Sequence, residues 1–284
     1  MYEVRLKPDT TYVARTLKLT LSYDGTRFVG WQRQSSGESI QGRLEEALAR
    51  FEGAPVTVHG AGRTDAGVHA LAQVASVQLT STHPAGALLR GLNASLPPEV
   101  RVTAVEEAAP GFHARFSARS KTYRYLVRHA PLVSPFERAY VWHVPEPLDL
   151  DAMQEAAAAL VGTHDFAAFG SAGRETKETV RTITRSEIRV VEPNLEPRTP
   201  DDQRRTTDYR LATTDYQPGL LAYEVTGTGF LRHMVRAVVG TLVEIGRGRR
   251  PASSMAALVA GATRADAGAT APPHGLFLVS VDYD

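Results

Sequence analysis

The chain has 284 residues, a formal net charge of +1 and no cysteine, and 43% of its residues are hydrophobic. Disulfides and thiolate metal ligands are therefore excluded, and no apolar run reaches the roughly 18 residues of a membrane span. The first residues lack the apolar segment of a signal peptide, so a cytoplasmic protein is expected. The length is typical of about two domains.

The first half of the sequence alternates between strand and helix patterns. Residues 1–16 are expected to form an extension, followed by a half at 17–112. Ser39 is predicted to cap the first helix. The order predicted for this half is β-α-β-β-α-β, with strands and helices at 17–23, 39–51, 56–59, 71–79, 85–94 and 100–105.

The second half, 113–284, repeats this order without repeating the residues. Gly162 is predicted to end its first helix. A polar stretch at 192–218 is predicted to be an exposed loop. The predicted elements are strands at 121–127, 180–191, 220–226 and 276–281, and helices at 149–161 and 229–245. Two α+β units with antiparallel sheets fit this pattern, joined near 108–120.

The loop from Gly60 to Ala70 holds Arg63 and Asp65 among three glycines. Glycines flanking a charged residue are typical of a loop whose backbone is approached closely by a large ligand. An ionised carboxylate beside a fixed cation is also the usual form of a catalytic nucleophile or base. A tight turn in which Asp65 binds its own backbone explains the same residues, and the loop alone does not decide.

Two further pairs carry a functional and a structural interpretation each. Arg232 and Arg236 are four residues apart on the predicted helix and would share one face, either as partners of a carboxylate or as a solvated pair. Tyr123 and Tyr125 lie on one side of a strand, either as a stacking platform for bases or as half-buried strand residues.

Charge is segregated along the chain. Between residues 111 and 129 there are five cations and no acid, which is one way for a nearly neutral protein to present a basic face to a polyanion. The nine histidines show no metal-ligand spacing, so no metal is expected.

Taken together, the motifs resemble the tRNA pseudouridine synthase A family, whose members isomerise uridines in the tRNA anticodon stem-loop. The matching segments occur in order from about residue 17 to residue 283, at 23–32, 60–70, 112–119, 121–125, 163–166, 229–236 and 275–277. One such segment would be weak, whereas this many in sequence are specific.

The resemblance implies a pseudouridine synthase fold of class α+β, in which two pseudo-repeated α/β halves share a central, mainly antiparallel sheet with the active cleft between them. It also implies a homodimer, no metal, no cofactor, no membrane association, and tRNA uridines 38, 39 and 40 as substrates. Asp65 takes the role of the essential aspartate, Arg63 enters the stem, Tyr123 stacks on the target base, and Arg236 pairs with the aspartate. Substrate binding is assigned to Tyr123, Arg27, Arg232 and His233.

Other functions remain open at this stage. A pseudouridine synthase acting on a different RNA is the nearest alternative, and a non-catalytic RNA-binding module explains the tyrosines and arginines but not the glycine-flanked carboxylate. The sequence also leaves open whether Asp65 attacks C1′ or abstracts a 2′ proton.

Overall fold

The computed structural model describes residues 14–171, 178–191 and 219–283. Its backbone contacts divide the chain into two compact units: Met1–Arg119 together with Val281–Asp284, and Ser120–Ser280. The division after Arg119 lies within the expected 108–120 junction, while the finer boundary between 112 and 113 stays a prediction. The predicted loop at 192–218 and residues 1–13 of the expected extension lie outside the described residues.

The first unit confirms the predicted order β-α-β-β-α-β. Its elements are β1 (Arg15–Tyr23), α1 (Ile40–Glu52), β2 (Val58–Gly60), β3 (His69–Leu79), α2 (Ala85–Ser95) and β4 (Val100–Glu107). As predicted, Ser39 caps α1, because its side chain accepts a hydrogen bond from the Gly42 N–H. Gly53, with φ of 76°, ends the helix in the left-handed conformation that glycine adopts at low cost.

The sheet of the first unit is antiparallel, with β1 between β4 and β3 and with β2 paired to β3. The register of β1 against β3 shifts near the end of the strand: Leu21 lies opposite Gln73, but Tyr23 lies opposite Ala70. The shift adds one residue to β3, so the alternation of faces that holds from Leu79 back to Gln73 is reversed beyond it. As a result Leu71 is 48% exposed, whereas Gln73, in the regular part of the strand opposite Leu21, is fully buried.

The second unit is also built from strands and helices in mixed order. Its elements are β5 (Ser120–His129), β6 (Trp142–Val144), α3 (Leu150–Ala158), β7 (Gly162–Asp165), β8 (Val180–Val191), β9 (Gly219–Gly227), α4 (Met234–Gly246), α5 (Ser254–Val259) and β10 (Leu276–Asp282), the last reaching into the first unit's residues. The strands β5, β9, β8 and β7 pair antiparallel in that order, and the short β6 pairs parallel to β5. Among the described residues these elements confirm the α+β class with mainly antiparallel strands.

Two predicted helix boundaries are wrong, namely the end of α3 and the beginning of α4. The helix α3 ends at Ala158 rather than Val161, and Gly162 does not stop it but begins β7 with φ of 123°. Buried Leu160 holds the intervening turn, and glycine supplies the positive φ that the strand entry needs. The helix α4 begins at Met234 rather than Gly229, because His233 has φ of 65°. A left-handed residue interrupts a right-handed helix, so residues 229–233 form an irregular segment.

Within the described residues, no helix combines the length and apolar character needed to cross a membrane.

Candidate active site

The loop between β2 and β3 carries Arg63 and Asp65. The Asp65 carbonyl accepts a hydrogen bond from the Val68 N–H at 3.1 Å, and Gly67, with φ of 76°, allows the chain to turn there. Arg63 is exposed, Thr64 is buried and Asp65 is half-buried. The loop therefore presents two charged side chains on either side of a buried threonine.

Thr64 is tied to the first unit through its side chain and its main chain. The hydroxyls of Tyr23 and Thr64 lie 2.8 Å apart, and the Thr64 carbonyl accepts a hydrogen bond from the Trp31 N–H at 3.0 Å. Burial raises the pKa of Tyr23 to about 12, although its hydrogen bonds act in the opposite direction. The Tyr23 phenol is therefore protonated at neutral pH, and both bonds fix the backbone between Arg63 and Asp65.

Gln73 anchors the start of the same loop. Its side-chain amide donates to the Gly62 carbonyl at 2.8 Å and to the Tyr23 hydroxyl at 3.3 Å. The Ala61 N–H also donates to the Val74 carbonyl at 2.7 Å. Gln73 faces inward in line with the buried Ala75, Val77 and Leu79, so the regular part of β3 supplies an anchor for the loop.

The segment at 23–34 packs directly on this loop, which brings two of the sequence motifs together. Gly30 has φ of 109°, and a Cβ there would lie 2.6 Å from the Thr64 carbonyl oxygen. The Trp31 ring lies against Gly60, and the Gly25 N–H donates to His69 Nδ1 at 3.1 Å. Gly25, Gly30 and Gly60 are thus explained by the close approach of other parts of the protein, not by an open ligand site.

A chain of polar side chains reaches Arg63 from helix α1. The Arg63 Nε donates to the Gln32 side-chain oxygen at 3.1 Å, and the Gln32 amide donates to Gln41 at 2.6 Å. Gln41 in turn donates to Glu45 at 3.1 Å, and both residues are buried. This network orients the exposed guanidinium of Arg63 from a rigid element.

Arg27, predicted to bind substrate, is held by acidic neighbours. Its guanidinium lies 3.1 Å from Glu38 and 2.9 Å from Glu99, and it stacks over the Phe28 ring at 4.8 Å. Phe28 and Trp31 are 3% and 2% exposed, so these aromatics seal the segment rather than face a ligand. The role of Arg27 in substrate binding stays a prediction.

In the second unit, Tyr123 and Tyr125 lie on the same side of β5, but they differ in burial. Tyr123 is 8% exposed, and its ring packs edge-on against Phe230 with centroids 5.0 Å apart. Tyr125 is fully buried, and its hydroxyl donates to the Pro272 carbonyl at 2.8 Å. The interpretation of the two rings as a stacking pair is wrong for Tyr125, which fills the core. The stacking role of Tyr123 stays a prediction.

Arg236 is anchored to the segment before β10. Its Nε donates to the Ala271 carbonyl at 2.8 Å, and the Ala271 N–H donates back to the Arg236 carbonyl at 3.0 Å. Burial raises the pKa of Tyr125, and the positive charge of Arg236 opposes this shift. Burial also lowers the pKa of His274, and Arg236 adds to that effect. The guanidinium is therefore held among the neighbours Ala271, Tyr125 and His274.

Arg232 and His233 precede α4 instead of lying on it. The prediction that Arg232 shares a helix face with Arg236 is wrong, because the positive φ of His233 separates them. Arg232 is exposed, and its carbonyl accepts a hydrogen bond from the Ser171 N–H at 3.2 Å. A non-glycine residue in the left-handed region costs about 1 kcal/mol or more. Such strain is consistent with the substrate-binding role predicted for His233, which stays a prediction.

Part of the basic segment at 111–129 is neutralised by acids that are distant in sequence. Arg124 lies 2.5 Å from the buried carboxylate of Glu224, which also pairs with Arg185 at 3.0 Å. Burial alone raises the pKa of Glu224, but the hydrogen bond and charge of Arg124 and the neighbouring arginines lower it overall. Arg128 likewise pairs with Glu137. A count of charges along the sequence therefore overestimates the basic surface.

No cluster of three or more histidine, aspartate or glutamate side chains suited to a metal ion is found in the described part of the chain. The sequence also did not reveal the residues that hold the Asp65 loop, namely Tyr23, Gln32, Gln41, Thr64 and Gln73. Gln73 and Gln41 carried a usable signal, since each is a polar residue at a position that the strand or helix pattern turns inward.

Comparison with known proteins defines the class. A family model described as tRNA pseudouridine synthase matches residues 20–117 and 156–284, and the chain belongs to this family of isomerases.

Individual relatives carry a more specific name. The chain is 46% identical over 267 residues to a protein of Myxococcus xanthus named tRNA pseudouridine synthase A, covering 94% of this chain and 91% of that protein. Proteins of the same name from Pelobacter propionicus and Neisseria gonorrhoeae are 42% and 40% identical, over 95% and 93% of this chain and 100% and 91% of theirs.

Proposed function

We propose that the chain isomerises uridine to pseudouridine at positions 38, 39 and 40 of the tRNA anticodon stem-loop. The observation that carries the proposal is the loop of Arg63 and Asp65, in which a half-buried carboxylate stands beside a threonine fixed by buried hydrogen bonds. Membership of the tRNA pseudouridine synthase family and the name shared by its relatives support the substrate class.

The reaction breaks the N1–C1′ bond of uridine and joins C1′ to C5. The C5 proton is lost and N1 gains one, so composition is unchanged and no redox cofactor is required. Asp65 acts either by attacking C1′ to give a ribosyl ester or by abstracting the 2′ proton to give a glycal. Both routes need an ionised carboxylate at a fixed position, and the anchored loop provides such a position.

A base within a stem must leave the helix before it can react, at a cost of a few kcal/mol. Arg63 is exposed and oriented by Gln32, which suits it to occupy the vacated space and contact the backbone. The roles of Tyr123 as the stacking ring and of Arg236 as the partner of Asp65 rest on the family resemblance. The assignment of Arg27, Arg232 and His233 to substrate binding has the same basis.

The working form of the enzyme is proposed to be a cytoplasmic homodimer that uses neither metal nor organic cofactor. The homodimer and the absence of cofactors follow from the family resemblance. The location follows from the composition and from an enzyme class that acts on tRNA.

The test is to map pseudouridine in an unmodified tRNA transcript after incubation with the protein. Carbodiimide treatment followed by reverse transcription gives stops at pseudouridine, and stops are expected at positions 38–40. Asp65→Asn removes the negative charge and should abolish turnover while leaving tRNA affinity within a few-fold. Asp151→Asn, an exposed carboxylate in the first turn of α3, is the matched control and should retain activity.

The alternatives give different results in the same experiment. Reverse-transcription stops only in another RNA would support pseudouridine formation by this protein but would show that tRNA is not its substrate. Tight tRNA binding without stops in any RNA would leave a non-catalytic binding module. Turnover by Asp65→Asn would remove this carboxylate from the mechanism.

A further inference from the structure

Three rings form a stack on the surface of the first unit. His59, at the middle of β2, lies with its ring centroid 4.8 Å from that of His113, which lies 4.4 Å from that of Phe116. Both pairs are tilted by 33°. His59 is exposed, and Phe116 at the other end of the stack is 77% exposed. Both ends of the stack are therefore accessible to a further flat ring.

The stack is held by a rigid turn and not by the exposed ring itself. Fully buried Ala114 donates its N–H to the Ser76 hydroxyl at 3.0 Å, and its carbonyl accepts from the Tyr283 hydroxyl at 2.8 Å. His113 Nδ1 accepts hydrogen bonds from the N–H groups of Arg115 and Phe116 at 3.1 and 3.4 Å. The position of Phe116 is therefore set by hydrogen bonds of the backbone, and its exposed ring contributes little to the packing of the core.

The chemistry around the stack favours an anionic, flat ligand. The Arg115 guanidinium lies over the Phe116 ring at 5.6 Å, and within the described ranges no carboxylate pairs with it. Burial lowers the pKa of His113, and the charges of His59 and Arg115 lower it further. A neutral His113 agrees with Nδ1 acting as an acceptor, and it leaves an apolar stacking surface beside one cation.

The stack also lies next to the proposed active-site loop. Ala114 packs in one buried cluster with Val74 and with Ala61, the residue that begins the loop of Arg63 and Asp65. The turn that displays Phe116 and the loop that displays Asp65 thus emerge from the same small core of the first unit.

From these contacts we infer that the stack of His59, His113 and Phe116 binds an unpaired base of the RNA substrate, with Arg115 contacting the adjoining phosphate. Aromatic side chains flanked by arginine bind single-stranded bases through stacking and charge, and both parts are present here. The inference rests on the proposed function, because it takes the ligand to be the tRNA on which the enzyme acts.

The experiment measures tRNA affinity in the Asp65→Asn protein, which does not consume the substrate, at several salt concentrations. Loss of one stacked base corresponds to a decrease of roughly 5- to 160-fold in affinity, so Phe116→Ala should weaken binding by a factor in this range without changing the salt slope. Phe116→Trp should bind normally, whereas Phe116→Leu, which is apolar but not aromatic, should bind weakly. Arg115→Gln should reduce the salt slope by about one unit. In the otherwise wild-type enzyme, Phe116→Ala should raise KM and leave kcat unchanged.

Phe136→Ala is the matched control, because this phenylalanine of the second unit is 89% exposed. Normal binding by both Phe116→Ala and Phe116→Leu would overturn the inference, as would an equal loss in the Phe136 variant. A change in sedimentation with unaltered tRNA affinity would assign the stack to a contact between copies of the chain and also overturn it. Pseudouridine mapping with the wild-type protein tests the proposed function separately. Failure of the proposed function and failure of the base-binding inference therefore give different results.

Discussion

The buried hydroxyl of Tyr23 offers a direct test of whether the Asp65 loop must be held in place. In Tyr23→Phe the ring remains, and only the oxygen 2.8 Å from the Thr64 hydroxyl is removed. Gln73 keeps its bond to Gly62, but the buried Thr64 hydroxyl loses this partner. Leaving a buried polar group unpaired costs about 1–3 kcal/mol, and the free energy of unfolding should fall by about 1–2 kcal/mol.

The effect on turnover should exceed what this loss of stability explains. Thr64 separates Arg63 from Asp65, so freedom at Thr64 displaces both charged residues. Misplacement of a reacting group by about 1 Å can cost on the order of 100-fold in rate. We expect kcat for pseudouridine formation to fall about 10- to 100-fold, while KM changes less than about threefold.

The assay combines urea unfolding with steady-state kinetics on unmodified tRNA. Tyr223→Phe is the matched control, because Tyr223 is a buried tyrosine of the second unit whose hydroxyl lies 3.0 Å from that of Ser186. It should lose similar stability and keep its kcat. A Tyr23→Phe enzyme with the expected loss of stability and a wild-type kcat would refute the reasoning that links the bond to catalysis.

Two further predictions concern the stability of the same region. Gly30→Ala should lower the free energy of unfolding by more than about 2 kcal/mol, since a Cβ would lie 2.6 Å from the Thr64 carbonyl oxygen. Gly53→Ala is the control, because a Cβ there meets nothing within 4 Å, and it should lower the free energy of unfolding by about 1 kcal/mol. Equal losses for the two variants in urea unfolding would contradict the packing argument. The pKa of Tyr23, raised from 10.0 to about 12, predicts full stability below about pH 10 and a decrease as the pH rises toward 12, because the unfolded chain releases its phenolic proton first. Tyr23→Phe should reduce the decrease measured by unfolding between these pH values without removing it, because burial also raises the pKa values of Tyr125, Tyr223 and Tyr283. An unchanged profile would show that Tyr23 does not contribute.

Most elements could be predicted because their residues follow a simple period. The alternation of Leu17, Leu19 and Leu21 predicts β1, and all three are fully buried. The stripe on α1 and the cap at Ser39 are equally regular. Such patterns report which side of an element faces the core, and burial of that side is the main stabilisation of the element.

The errors arise where one backbone angle overrides the pattern. The apolar period of α4 extends back to residue 229, but His233 in the left-handed region stops the helix. Histidine is only modestly enriched in that conformation, so its identity does not outweigh the apolar period of the helix. The prediction that Gly162 ends the helix is wrong for a similar reason, because a glycine with positive φ fits a helix end and a strand entry equally well.

The site was predicted in part for a related reason. Asp65 and Arg63 stand out because charged residues among glycines are unusual. Gln73 carries a weaker signal as a polar residue in line with Ala75, Val77 and Leu79, and the pattern does not show that its amide reaches the Gly62 carbonyl. The partner of Arg124, Glu224, lies 100 residues away in the sequence, so a count of charges in the local sequence could not identify the pair.

The first unit is discontinuous in sequence, and this affects how it is made. Tyr283 holds the carbonyl of Ala114 across a separation of 169 residues. At a synthesis rate of about 5–20 residues per second, roughly 8–34 s pass between the two residues leaving the ribosome. During that interval β1 to β4 can fold, but the turn that displays Phe116 lacks one of its two anchors. The turn proposed to bind an RNA base is therefore among the last parts to be completed in a newly made molecule.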